Sequence, residues 1–380
     1  MSEPLRVLVG TTKGVFVLTS NDDRETWNLD GPHCDLWTIN HVIGDPTTGE
    51  MWAGGGSDWS GAGVWHSGDQ GKTWSLAPLT SGDMFEWAKN DPEAATFLGV
   101  DTSATFPFDK SFSSVWSLAR VGGRLYAGTK PAMLLTSADS GESWQEVTGL
   151  REHPSSDSWQ PGGAGLTLHT ILTNEKTPDQ LRIAISAAGV FATEDGGTTW
   201  ERMNRLDNDM DQGHHHHDNQ NEIGHCVHNM IGNGEDGALI YQQNHSGVFR
   251  SRDGGRSWHD ITGNLPSTFG FPIAADPHDP SIVWTIPLNG DMQGRYPPDA
   301  AAAVWRSTDA GETWQDMREG LPQKGCFFTV LRQAMATDRS PETGVYFGTN
   351  SGSIFASTDR GRSWTEIARH LPTVLSVETL

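Results

Sequence analysis

Apolar residues along this chain come in short alternating runs, each bounded by Gly, Asp or Asn. In LRIAISA (181–187) they fall at every second position, and GVFATED (189–195) follows after a single residue. ALIYQQN (238–244) and GVFRSRD (247–253) repeat the arrangement, as do GVYFGTN (344–350) and SIFASTD (353–359). A period of two puts alternate side chains on one face of a pleated ribbon, so these runs predict strands joined by tight turns. Each pair is preceded by a further run, such as LTLHTILTN (166–174), HCVHNMIGN (225–233) or FTVLRQAMATD (328–338). A short segment headed by Trp follows each pair: TWERM (199–203), SWHDI (257–261) and SWTEIA (363–368). The unit is therefore four strands, a to d.

An octapeptide marks the turn between strands c and d. It reads SGDQGKTW (67–74), SADSGESW (137–144), TEDGGTTW (193–200), SRDGGRSW (251–258), STDAGETW (307–314) and STDRGRSW (357–364). A degenerate copy, SNDDRETW (20–27), has Arg24 in place of the glycine. The Asp carboxylate can accept backbone N–H groups inside a tight turn, and glycine supplies a positive φ there. The pattern resembles the Asp box, or BNR repeat, of sialidase-like β-propellers. That resemblance makes Asp22, Asp69, Asp139, Asp195, Asp253, Asp309 and Asp359 scaffold residues.

Seven copies imply an all-β fold: one seven-bladed propeller spanning residues 1–380. The first blade begins at its b strand, RVLVGTT (6–12), and lacks an inner strand. TVLSVE (373–378) is expected to supply it and so close the ring.

The net charge of −22 argues against nucleic acid and anionic membrane surfaces as partners. Three cysteines cannot form a disulfide framework, and no apolar run nears the ~20 residues a spanning helix needs. The expected location is the cytoplasm.

By strand alternation, the b–c loops and d–a connections lie on the face opposite the boxes. These are the longer, more irregular loops, including an insertion from Pro78 to Ser114. Three inner strands carry a histidine at a similar height: His41, His169 and His228. They are expected to meet at the axis and hold a divalent ion such as zinc, leaving one position open. His245, Arg295 and Tyr296 join them as catalytic candidates at the mouth. Gln243, Asn244 and Arg332 are expected to bind substrate, with Arg332 on an inner strand, and the loop tryptophans Trp59, Trp87 and Trp159 offer stacking platforms for a sugar. The run His214–His217 lies mid-chain among Asp209, Asp211, Asp218 and Glu222, and reads as an acidic, solvated loop.

Kinship with sialidases would imply an arginine triad, a Tyr–Glu nucleophile and an Asp acid/base. Tyr126, Tyr241 and Tyr346 share one strand-b place, and Tyr296 has no Glu nearby in sequence. Sialoside hydrolysis is therefore not expected. The chain also resembles bacterial BNR-repeat proteins regarded as glycosyl hydrolases, through GLTLHTI, CVHNM, YQQNHSGVFRS and GRYPPDAAAAVWRS. The leading expectation is an enzyme acting on a small polar or carbohydrate-like molecule. The alternatives are a non-catalytic binding propeller and a glycosidase using two carboxylates among Asp58, Asp91, Asp101, Asp157, Asp291 and Asp299.

Overall fold

The computed structural model describes residues 4–21, 24–35, 37–207, 222–233 and 237–380. These residues form seven four-stranded antiparallel sheets. Blade 4 runs Thr167–Leu172, Leu181–Ser186, Gly189–Thr193 and Glu201–Arg202 from axis to rim. Blade 5 runs Val227–Asn233, Leu239–Asn244, Gly247–Ser251 and His259–Asp260. The ring closes as expected. Val374–Thr379 pairs with Arg6–Thr11, with Val9 opposite Val377, and becomes the inner strand of blade 1. Apolar faces of neighbouring blades make the core, with Trp52, Trp258 and Trp284 wholly enclosed.

The boxes behave as scaffold. At six of them the Asp Oδ1 accepts an N–H four residues on, at 2.9 Å each time: Thr73, Ser143, Thr199, Ser257, Thr313 and Ser363. These donors hold Asp69, Asp139 and Asp195 at about 2, with Thr73 N–H, the Ser143 hydroxyl and Thr199 N–H respectively contributing most. Two consecutive residues are left-handed, as with Gln70 (φ +66°) and Gly71 (φ +88°), so the glycine serves the second of them. Asp22 lies outside the described residues. The substituted Arg24 reaches across the closing seam, placing its guanidinium 3.0 Å from buried Asp338 and 3.0 Å from the Glu342 carbonyl in blade 7.

Two expectations change. The insertion after Pro78 contains two short helices, Asp83–Asn90 and Pro92–Leu98. Asp91 caps the second by accepting from Glu93 N–H (2.9 Å) and Ala94 N–H (3.2 Å), and Pro92 occupies the first turn. In blade 7 the inner strand is only Met335–Thr337. Arg332 therefore sits in an irregular stretch beside the axis, whose course is set by Asn350 binding Thr329 N–H (2.8 Å) rather than by a strand ladder.

Candidate functional site

The mouth is organised by β-bulges. In blade 2 the register passes from Ile39–Gly55 to His41–Gly54, which leaves Asn40 as the extra residue. In blade 4 it passes from Leu168–Ile185 to Thr170–Ala184, leaving His169, and in blade 5 from Val227–Asn244 to Asn229–Gln243, leaving His228. A bulge residue is turned out of the ladder and re-aimed. All three do the same work: each donates to a carbonyl on the next blade's inner strand. Asn40 Nδ2 reaches Val115 O at 2.8 Å, His169 Nε2 reaches Val227 O at 3.0 Å, and His228 Nδ1 reaches Gly270 O at 2.6 Å.

This corrects the expected three-histidine centre. The blade 2 counterpart of His169 and His228 is Asn40, and His41 is one residue late. One step along a strand sends the side chain the other way. His41 accepts from Leu118 N–H at 2.9 Å and lies 3.2 Å from Glu378 Oε1. His169 is wholly enclosed, and each of its nitrogens has a protein neighbour. A carbonyl can only accept, so Nε2 carries the proton, and Nδ1 meets the Thr170 hydroxyl at 2.9 Å.

His228 has the opposite tautomer. Its Nδ1–H points at Gly270 O, so Nε2 holds a lone pair, and that nitrogen lies 3.7 Å from Cys226 Sγ. Burial, and next the nearby Arg332 charge, hold both His169 and His228 well below the ordinary imidazole value, so both are neutral. The His245 ring lies 5.5 Å from that of His228, and its backbone N–H donates to Cys226 O at 3.0 Å. Among the described residues, Cys226, His228 and His245 form the group whose ligand atoms all lie within 4.8 Å of one another, so this group could hold a metal ion. Cys226 was not among the expected ligands. Burial raises its thiol, and Ser186 Oγ lies 3.9 Å away.

Two guanidinium groups face the cluster. Arg332 and Arg295 lie 5.1 and 5.9 Å from the centre of the Phe271 ring, and that ring is 4.7 Å from His228. Arg295 pairs with Asp291 at 2.6 Å, and the same carboxylate is 3.9 Å from His245 Nδ1. Arg332 has no carboxylate within ion-pair distance among the described residues, and its Nε is enclosed without a hydrogen-bond partner. Burial pushes it down to about 10. Among the described residues, two guanidinium groups and one carboxylate face this cluster.

Other expected ligands are used internally. Gln243 Nε2 donates to Thr268 O at 3.0 Å and its Oε1 accepts from Thr285, tying blade 5 to blade 6. Asn244 Nδ2 donates to Gly224 O at 2.6 Å and shapes the hairpin that presents His245. Tyr296 packs edge-on against Phe327, with ring centres 5.0 Å apart. Trp159 packs on Phe191 at 5.1 Å and donates to Ser155. Trp59 and Trp87 pair at 6.1 Å and stay about half exposed. Of the candidate carboxylates, Asp91 caps a helix and Asp101 holds Ser103. The run His214–His217 lies outside the described residues.

No protein-family model matches the chain. Xyloglucanase Xgh74A of Acetivibrio thermocellus is 26% identical over 149 residues, which cover 33% of this chain and 16% of that protein. The chain thus spans under a fifth of that relative's length. A GH74 enzyme of Niastella koreensis superposes with a TM-score of 0.56 at 14% identity, over 98% of this chain and 54% of that one. YCF48 from Cyanidioschyzon merolae superposes with a TM-score of 0.53 at 12% identity, over 86% and 84%. The chain is a seven-bladed propeller resembling GH74 xyloglucanases and YCF48. Its likeness to sialidases rests on the box motif.

Proposed function

We propose that this protein is a cytoplasmic enzyme, a hydrolase or lyase, whose mouth takes a small polar molecule carrying a negative charge. Arg332 carries this reading. A half-buried guanidinium with an enclosed, unpaired Nε and no carboxylate at ion-pair distance among the described residues is costly, and an anionic ligand would lower that cost. Arg295 widens the positive patch, while the neutral imidazole of His228 and the ring of His245 beside it offer nitrogen ligands to a divalent ion such as zinc. The distant likeness to xyloglucanases supports a carbohydrate-like substrate, and the exposed Trp59–Trp87 pair suits a sugar face. Sialosides remain poor candidates, because no Glu is near Tyr296 in sequence and its ring packs against Phe327.

The test is calorimetric titration with D-gluconate and D-sorbitol, which differ by a carboxylate. Gluconate should bind roughly 10-fold tighter or better, and Arg332→Gln should erase the difference. Equal binding of the two would remove the anionic part of the proposal. Turnover of a panel of lactones, glycosides and hydroxy acids, followed by NMR, separates an enzyme from the second reading. Retained binding with no turnover would favour a non-catalytic binding propeller.

A further inference from the structure

We propose that Cys226, His228 and His245 form a three-ligand zinc centre at the propeller mouth, with its fourth position open toward the ligand. This goes beyond the anion-binding reading and does not depend on it.

The ligand set comes first. One thiolate and two imidazoles suit a borderline-soft divalent ion, and three protein ligands with an open position are typical of a catalytic rather than a structural zinc. The distances agree. A tetrahedral zinc bonded at about 2.3 Å to sulfur and about 2.0 Å to nitrogen holds those two atoms about 3.5 Å apart. The observed separation of Cys226 Sγ and His228 Nε2 is 3.7 Å. The third ligand atom lies within the same 4.8 Å sphere.

The supporting groups are also in place. Metal-bound histidines usually donate their other ring N–H to a carbonyl or carboxylate, which fixes the tautomer and aims the lone pair. His228 does this through Gly270 O at 2.6 Å. The Asp291 carboxylate stands 3.9 Å from His245 Nδ1, within ion-pair distance but beyond a hydrogen bond. The chain is held on both sides of the centre. The His245 N–H binds Cys226 O at 3.0 Å, and Asn244 pins Gly224 O at 2.6 Å. An S–H···N hydrogen bond would account for Cys226 beside His228. It would not account for His245 arriving at the same point.

Arg332 is the opposing influence, because its charge repels a cation. On binding, zinc displaces the Cys226 proton, and the resulting thiolate lies within reach of the Arg332 field and offsets that repulsion. The ion would then sit between a thiolate and the two guanidinium groups, where an anionic ligand can take the fourth position.

The test uses full-length untagged protein in which residues 214–217 are all alanine, so that the consecutive histidines cannot collect metal. Zinc content is measured after dialysis against a weak chelator, and the protein is reloaded with cobalt for absorption spectroscopy. We expect stoichiometric metal and a thiolate-to-cobalt charge-transfer band in the near ultraviolet. Cys226→Ser should abolish the band and weaken zinc binding by more than roughly 100-fold. His228→Asn should do the same, while His169→Asn and Arg332→Gln should retain the metal. Near-ultraviolet circular dichroism of the tryptophans checks that each variant is folded. If His228→Asn fails to fold, Cys226→Ser decides. The proposal falls if the starting protein retains no metal, if Cys226→Ser retains it, or if the cobalt spectrum lacks the thiolate band. Loss of gluconate binding with metal retained would sink the anion reading and leave the zinc centre standing.

Discussion

The bulges of blades 4 and 5 place a histidine at the same point of the same strand, yet the two imidazoles do different things. His169 donates from Nε2 to Val227 O and has the Thr170 hydroxyl 2.9 Å from Nδ1, so each of its nitrogens already has a protein neighbour. His228 donates from Nδ1 to Gly270 O and keeps Nε2 for Cys226. Both tie one blade to the next. The difference lies in which nitrogen does the tying, and that is set by the side chain's rotation and by the neighbour it meets. Thr170 lies beside the second nitrogen in blade 4, and Asn229 stands at the matching place in blade 5. Its side chain instead donates to the Arg332 carbonyl. A framework histidine thus becomes a candidate ligand when its second nitrogen is left over.

The comparison is most exposed to a cavity test. His169→Ala should cost about 3 kcal/mol in urea unfolding, because it leaves Val227 O unpaired beside an empty space in the core. His228→Ala, which orphans one carbonyl beside the open mouth, should cost about 1–2 kcal/mol. Equal losses would mean that the two bulges are equally structural. A finer test borrows from blade 2, where Asn40 does the tying with an amide. His169→Asn should fall within about 1 kcal/mol of the parent, since Asn offers the same donor to the same carbonyl. A loss as large as that of the alanine variant would show that Asn40 is not its counterpart.

Stability against pH gives the next effect. Burial, then Arg332, lower both imidazoles, so below about pH 6.5 the unfolded chain takes up protons that the folded chain refuses. The unfolded state then binds more protons, so stability must fall as the pH drops through that value. The limit is about 1.4 kcal/mol per pH unit for each histidine. His169→Asn should shallow this slope. An unchanged slope in calorimetric scans from about pH 7.5 to about pH 5.5, a window around the ordinary imidazole value, would place the proton uptake elsewhere. The smallest test perturbs nothing. Nitrogen-15 NMR of the native protein should find His169 protonated at Nε2 and His228 at Nδ1. The same tautomer at both sites would collapse the distinction.

Much of this was readable in advance. The box is a local device: its Asp accepts from residues two to four positions away, so seven octapeptides were enough to count the blades. The missing inner strand of blade 1 likewise pointed to residues 373–378. The helix after Asp91 was legible too, since Asp followed by Pro is a helix-start signal, but the insertion was read as loop. The histidines were harder. His169 and His228 stand five residues before the Asn that opens the next turn, and His41 stands four before Asp45. That single residue was the available clue, and on a ribbon of period two it sends the side chain the other way. Cys226 escaped notice as a ligand because only the bulge at His228 lets Nε2 face it.

The sequence by itself determined the architecture: alternation set the strands, the boxes set the turns, and the displaced inner strand required the ring to close. All of these depend on contacts between neighbours in the chain or on counting repeats. The tertiary structure decided which polar groups are left over. Gln243 and Asn244 are spent on carbonyls contributed by other segments, His41 on Leu118 and Glu378, and Arg332 lost its place on a strand when blade 7 shortened its inner ladder. Whether a side chain is scaffold or site depends on partners brought from far along the chain, and those partners are chosen by bulges and loop courses that no local pattern encodes.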